Sequence, residues 1–132
     1  MVPEEGVLLD FPNGLMGFPS LTRLRLLEPP DAYPLKFLQS EDRKEVSFLA
    51  LDIAAVKADY SVPLNPADAE ALAIENPEEA LVLTLVVIPE DMRQMITNLA
   101  GPVVINARTK VGRQIALTGD QYPVNFPILR DL

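Results

Sequence analysis

The run from Leu81 to Ile88, Leu-Val-Leu-Thr-Leu-Val-Val-Ile, constrains this chain more than any other stretch. It is uncharged, has no glycine or proline inside it, and stops at Pro89. So short a run cannot display helical periodicity. Its β-branched content and the proline that ends it predict a strand buried on both faces. Val103 to Ile105 repeats the same character over a shorter length. Arg113 to Leu117 alternates, with Arg113, Ile115 and Leu117 on one side and Gln114 and Ala116 on the other. A central strand flanked by others, with the remaining chain covering it, is the expected arrangement.

Prolines divide the rest. There are 13 in 132 residues, against only 6 glycines. Each one ends or interrupts an element, because proline has no amide hydrogen to give to a ladder. Val7 to Phe11 is an expected edge strand ending at Pro12, and Pro12-Asn13-Gly14 a turn in which Gly14 supplies the positive φ. Arg23 to Leu27 alternates and predicts a half-solvated strand. Leu35 to Gln39 and Ser47 to Ile53 are further strand candidates, with Phe37 and Phe48 as expected core anchors. Glu41 to Glu45, five charges in a row, is an exposed turn between them. Val56 to Val62 is a short strand or an irregular segment.

Asn65 is an expected N-cap with Pro66 at the first helical position and Asp68 three residues past the cap, so a helix begins there and continues to Ile74. Asn76-Pro77 opens a further short turn. Glu90 to Leu99 fits helix spacing through Met92, Met95, Ile96 and Leu99, and fits strand alternation equally well. Val124, Phe126, Ile128 and Leu129 are apolar enough to dock the tail on the core. About eight strand candidates against one secure helix, at hairpin-length spacing, predict a mainly β fold: a single domain over residues 1–132, a small antiparallel β-barrel-like domain of Greek-key or meander type with one or two short helices.

The chemistry is mostly defined by what is missing. The chain has no Cys and no His. Disulfides, thiolate nucleophiles and the usual neutral-pH base and metal ligand are therefore absent. Acid pairs such as Glu41-Asp42 or Glu90-Asp91 are adjacent in sequence, and strand neighbours point to opposite faces, so adjacency builds no paired-acid site. No phosphate-cradling glycine loop or nucleophile elbow occurs. Asn65, Asp68 and Glu70 lack the glycine and spacing of a calcium loop. The expectation is a non-enzyme with no catalytic residues, metal or cofactor. No stretch reaches membrane-spanning length and no secretory signal opens the chain, so a cytoplasmic location is expected.

Charge is unevenly placed. The net charge is -8, yet residues 92–132 carry 5 basic and 2 acidic residues. From Ala58 to Met92 there are 8 acidic residues and no Lys or Arg. Such a surface repels phosphate backbones and attracts cationic partners. Arg108, Lys110 and Arg113 are too few, and lack interleaved aromatics, for direct nucleic-acid binding. The remaining feature is the loop bearing Leu15, Met16 and Phe18. These residues either fold back as a lid on the core or present an apolar patch to a partner, as Met and Phe do at interfaces. A barrel enclosing a small ligand is a further alternative, opposed by the size of Phe37, Phe48 and Leu83.

Six stretches in order carry a resemblance. DFPNGLMGF (Asp10 to Phe18) resembles the signature loop of the bacterial flagellar assembly factor FliW family, and KFLQS, FLALDI, LVLTLVVIPED, NLAGPVVIN with GRQIAL, and QYPV are similar to the same family in the same order. The family commonly has proline where this chain has Met16, and an extra strand ahead of the region matching Glu4, so that an open sheet edge beside Val7 to Phe11 is expected here. The resemblance implies a non-enzymatic regulator that binds flagellin and the RNA-binding translational repressor CsrA, relieving repression of flagellin translation by an allosteric route. It implies a β-barrel-like domain with few helices, and a strand at Gln94 to Leu99. CsrA presents a basic surface for RNA, so the acidic stretch agrees with steering towards it. The candidate partner-binding residues are Leu15, Met16 and Phe18, with Glu75, Glu78 and Glu79 from the acidic stretch, and Asn98 and Asn106, which bound the NLAGPVVIN run. Direct nucleic-acid and membrane binding are not expected.

Overall fold

A computed structural model describes residues 6–128 of the chain. Its strands are β1 (Val7–Asp10), β2 (Arg23–Leu27), β3 (Leu35–Ser40), β4 (Ser47–Asp52), β5 (Ala80–Val87), β6 (Ile96–Thr97), β7 (Val103–Asn106), β8 (Val111–Gln114) and β9 (Phe126–Pro127), with one α-helix, α1 (Pro66–Leu72). Seven of the strands close a barrel in nearly the order in which the chain makes them: β1, β2, β3, β4, β5, β7, β8 and back to β1. It is a meander, with β6 and β9 added beside the far end of β5.

All of the barrel pairings are antiparallel except the closing one. β1 and β8 run parallel and meet at a single pair, Asp10 with Val111, where the Asp10 amide donates to the Lys110 carbonyl at 2.9 Å. Val7 to Asp10 is therefore not an edge strand. It lies between a full ladder to β2 and this narrow seam.

β5 confirms the expected strand and limits the expected burial. Leu83 and Thr84 point to opposite faces and both are fully buried, so the middle of the strand is covered on both sides. Val87 and Ile88 are exposed: the β4 and β7 ladders end at Leu85 and Leu83, and Val87 pairs with Ile96 of the two-residue β6. Leu9, Phe11, Leu24, Leu38, Leu83 and Ile105 belong to the cluster that fills the barrel. Each buried side chain of this size contributes about 1.5–3 kcal/mol. A filled interior removes the small-ligand barrel reading.

The core anchors differ from those expected. Phe11 is the largest fully buried side chain. Phe37 is half-buried and lies outside the three core clusters, and Phe48 is partly buried against the first of them. Two smaller clusters cover the barrel from outside. One gathers Leu51, Ile53, Met95, Leu99 and Ile128 with both Tyr60 and Tyr122. The other seats Leu72 of α1 on Val104 and Ile115.

Helix α1 begins as the sequence predicts. The Asn65 side chain accepts the Asp68 amide at 2.8 Å, and Pro66 takes the first position. It ends at Leu72, with Ala73 in the left-handed region at φ +53°, short of the expected Ile74. The segment from Glu90 splits: a 3-10 turn at Met92–Gln94 and then the two-residue β6, where the resemblance implied a longer strand. Val56 to Val62 is irregular and follows a 3-10 turn at Ile53–Ala55. Of the tail, Ile128 is fully buried but Val124 is exposed, and Leu129 lies outside the described residues.

Candidate protein-docking surface

The loop from Phe11 to Leu21 plugs one mouth of the barrel. It is built by glycine geometry and a short internal bridge. Gly14 has φ +64°, and a Cβ there would stand 2.4 Å from the Phe18 carbonyl oxygen, so only glycine fits. Leu15 and Phe18 exchange backbone hydrogen bonds, at 3.2 Å and 2.8 Å. This tight reversal sends Leu15 inward and carries Met16 and Phe18 outward.

A second strand pins the loop from the side. The Met16 amide donates to Gln114 Oε1 at 2.7 Å, and Gln114 Nε2 donates to the Gly101 carbonyl at 2.8 Å. The loop therefore resists motion relative to β8 although it has little regular structure. Leu15 is only 2% exposed and belongs to the barrel core. Met16 is 50% exposed and Phe18 42%. The lid and the patch are thus two sides of one loop.

The apolar surface extends past the loop. Phe18 meets the edge of Phe48 with ring centroids 5.2 Å apart and planes at 75°. Met16 and Phe18 thus border one mouth of the barrel, with Phe48 beside them.

Other candidate residues take structural roles. Asn106 is fully buried. Its Nδ2 donates to the carbonyls of Leu72 and Ala73 at 2.8 Å and 3.2 Å, and its Oδ1 accepts the amides of Arg108 and Thr109. With every polar atom engaged inside the fold, Asn106 offers nothing to a partner. Leu15 is likewise withdrawn. Asn98 Oδ1 accepts the Ala100 amide at 2.9 Å and shapes the turn into β7.

Glu79 is folded back: its Oε1 takes the Glu75 and Asn76 amides, and its Oε2 meets Arg108 Nε at 3.2 Å. Those two amides, then the Arg108 guanidinium, lower its pKa. Glu75 and Glu78 remain exposed. The small basic cluster is partly neutralised at home, Arg108 by Glu79 and Arg113 by Asp68 at 3.0 Å. Short-range pairs of this kind leave little field to attract a nucleic acid.

These residues sit in a chain with clear relatives. The family model described as FliW protein matches residues 2–128. The chain belongs to the FliW family. It is similar to the flagellar assembly factor FliW of Natranaerobius thermophilus, 34% identical over 97% of this chain and 85% of that one. It is 37% identical to that of Carboxydothermus hydrogenoformans, over 95% of this chain and 80% of the relative. A crystal structure of the flagellar assembly factor FliW shares its fold, with a TM-score of 0.85 and 22% identity over 96% of this chain and 88% of that one. The FliW relatives are named for assembly, which implies protein partners and a role other than catalysis. Among the described residues, no helix is long and apolar enough to cross a membrane.

Proposed function

We propose that this chain is a non-enzymatic, cytoplasmic flagellar assembly factor that binds flagellin and CsrA and relieves CsrA repression of flagellin translation by allosteric antagonism. Family membership supports the class of activity. One observation supports docking as its physical basis: Met16 and Phe18 are held outward on a loop pinned through Gln114, with Phe18 against the edge of Phe48. Large apolar side chains on a rigid support dock at a lower entropic cost than the same residues on a mobile loop.

Charge gives the second component. Steering by the acidic stretch raises encounter rates with a basic partner, while affinity rests on the apolar contact. The test is size-exclusion chromatography of the chain with flagellin and with CsrA, each with its terminal regions intact. Co-elution with either at a fixed stoichiometry supports the reading, and separate elution from both contradicts it.

A further inference from the structure

A groove of about 780 Å³ lies outside the barrel, between the two outer clusters, with Val82 and Val104 in its floor and Tyr60 and Ile74 in its walls. That volume falls within the roughly 300–1,000 Å³ typical of binding clefts. Its lining contains two carboxylates, Asp52 and Glu75, and no Lys or Arg. Neither carboxylate has an ion-pair partner among the described residues. Three cations near it in sequence are already matched, Lys57 with Asp59 at 2.9 Å, Arg108 with Glu79 and Arg113 with Asp68, and exposed Lys110 does not line the groove. The groove is thus an apolar trough with uncompensated negative charge.

The floor includes a strand that outruns its neighbour. The last β4 partner of β5 is the pair Asp52 with Leu83. Ala80, Leu81 and Val82 continue beyond it, paired on their other side to β7, and all three line the groove. A strand with a neighbour on one side only is where an extended peptide adds most readily. An occupant laid along it would place alternate side chains in the trough and bring its remaining side chains near Asp52 and Glu75.

We propose that this groove is a second docking site, separate from the barrel mouth, for an extended segment of a partner protein that alternates aliphatic residues with Lys or Arg. The inference stands apart from which proteins dock at the mouth. The aliphatic side chains exchange water for Val82 and Ile74, and the cations meet two carboxylates that have no internal counter-ion. Asp52 is half-buried, which makes a contact there stronger than an ion pair on an open surface, while exposed Glu75 adds local field.

The experiment is an amide NMR titration of the isotope-labelled chain with the peptide acetyl-Leu-Lys-Val-Lys-Leu-amide, and separately with its counterpart carrying Glu for Lys. The expected result is saturable shifts at Ile53, Ile74 and Ala80 to Val82 with the lysine peptide only, weakened at least threefold in an Asp52→Asn, Glu75→Gln double variant. Ala54→Trp, at an exposed position in the groove wall, should abolish them while leaving the melting temperature unchanged. If that variant unfolds, Ser61→Trp, at another exposed lining position, blocks the trough instead. Shifts scattered over the acidic surface, equal binding of the glutamate peptide, or undiminished binding when the trough is blocked would each overturn the proposal.

Discussion

Asn106 on β7 donates its carboxamide to the Leu72 carbonyl at 2.8 Å, and so closes the end of α1 from 34 residues away. Helix ends leave carbonyls without partners, and this one is buried under the barrel wall. Replacing Asn106 with Leu keeps the volume and removes the donor. The expected cost is about 1–3 kcal/mol in urea unfolding, because the stranded carbonyl pays its desolvation in full. Ala73, the residue after the helix, has φ +53°, a conformation that glycine adopts without strain. Ala73→Gly should therefore stabilise the chain by about 0.5–1 kcal/mol in the same assay, against the usual direction of alanine-to-glycine changes.

Gly112 makes room for the core. A Cβ there would lie 2.4 Å from Phe11 Cζ, and Phe11 is completely buried. Gly112→Ala should destabilise by about 1–3 kcal/mol through overpacking. A Phe11→Leu change in the same chain should recover part of that loss, which a thermal melt of the single and double variants would measure.

Acid sensitivity should concentrate at Glu41. Arg25 donates two hydrogen bonds to its carboxylate, both at 3.0 Å, and Lys44 approaches it as well. The Arg25 hydrogen bonds, ahead of Lys44, lower its pKa from 4.5 to about 2. A carboxyl lowered by folding contributes stability that is complete above its unfolded value and is lost as pH falls towards its folded one. Stability attributable to this group should therefore decline between pH 4.5 and about 2. Glu41→Gln should flatten that part of the stability curve and leave its slope near neutrality unchanged.

The pattern-borne parts of this fold were legible in the chain. The Leu81 to Ile88 run gave its central strand, and Asn65-Pro66 gave the start of α1, since both are decided by local backbone chemistry. Misreadings arose where a distant element decides the outcome. Val87 and Ile88 are apolar but exposed, because past Leu85 the β4 and β7 ladders have ended and the two-residue β6 is the partner that β5 keeps. The parallel seam between Asp10 and Val111 joins residues about a hundred positions apart, and no local pattern encodes it. Phe48 was expected inside on size alone, whereas the plugging loop leaves it partly buried at the mouth.

The candidate surface was legible only by composition. A loop with Leu15, Met16 and Phe18 between glycines was visibly unusual, but which of the three faces solvent depends on the Leu15–Phe18 bridge and on Gln114, 98 residues from Met16. Asn106 illustrates the opposite case. It is a candidate partner-binding residue in the sequence, at the end of the NLAGPVVIN run, and its burial comes from the packing of α1, 34 residues away, against β7.

Binding should respond to ionic strength if acidic residues steer it. Raising salt from 50 mM to 500 mM shortens the Debye length roughly threefold. The association rate with CsrA should fall several-fold while the dissociation rate changes little, as stopped-flow mixing would record. A salt-independent association rate would remove steering from the account.

Docking at the barrel mouth rests on Met16 and Phe18. Isothermal titration of flagellin and of CsrA into the wild-type chain and into a Met16→Ala, Phe18→Ala double variant tests it most directly. The account predicts at least a tenfold loss of affinity, about 1.4 kcal/mol, for one of the two partners, with the melting temperature of the free chain preserved. Unchanged affinity for both partners in a folded double variant would contradict it.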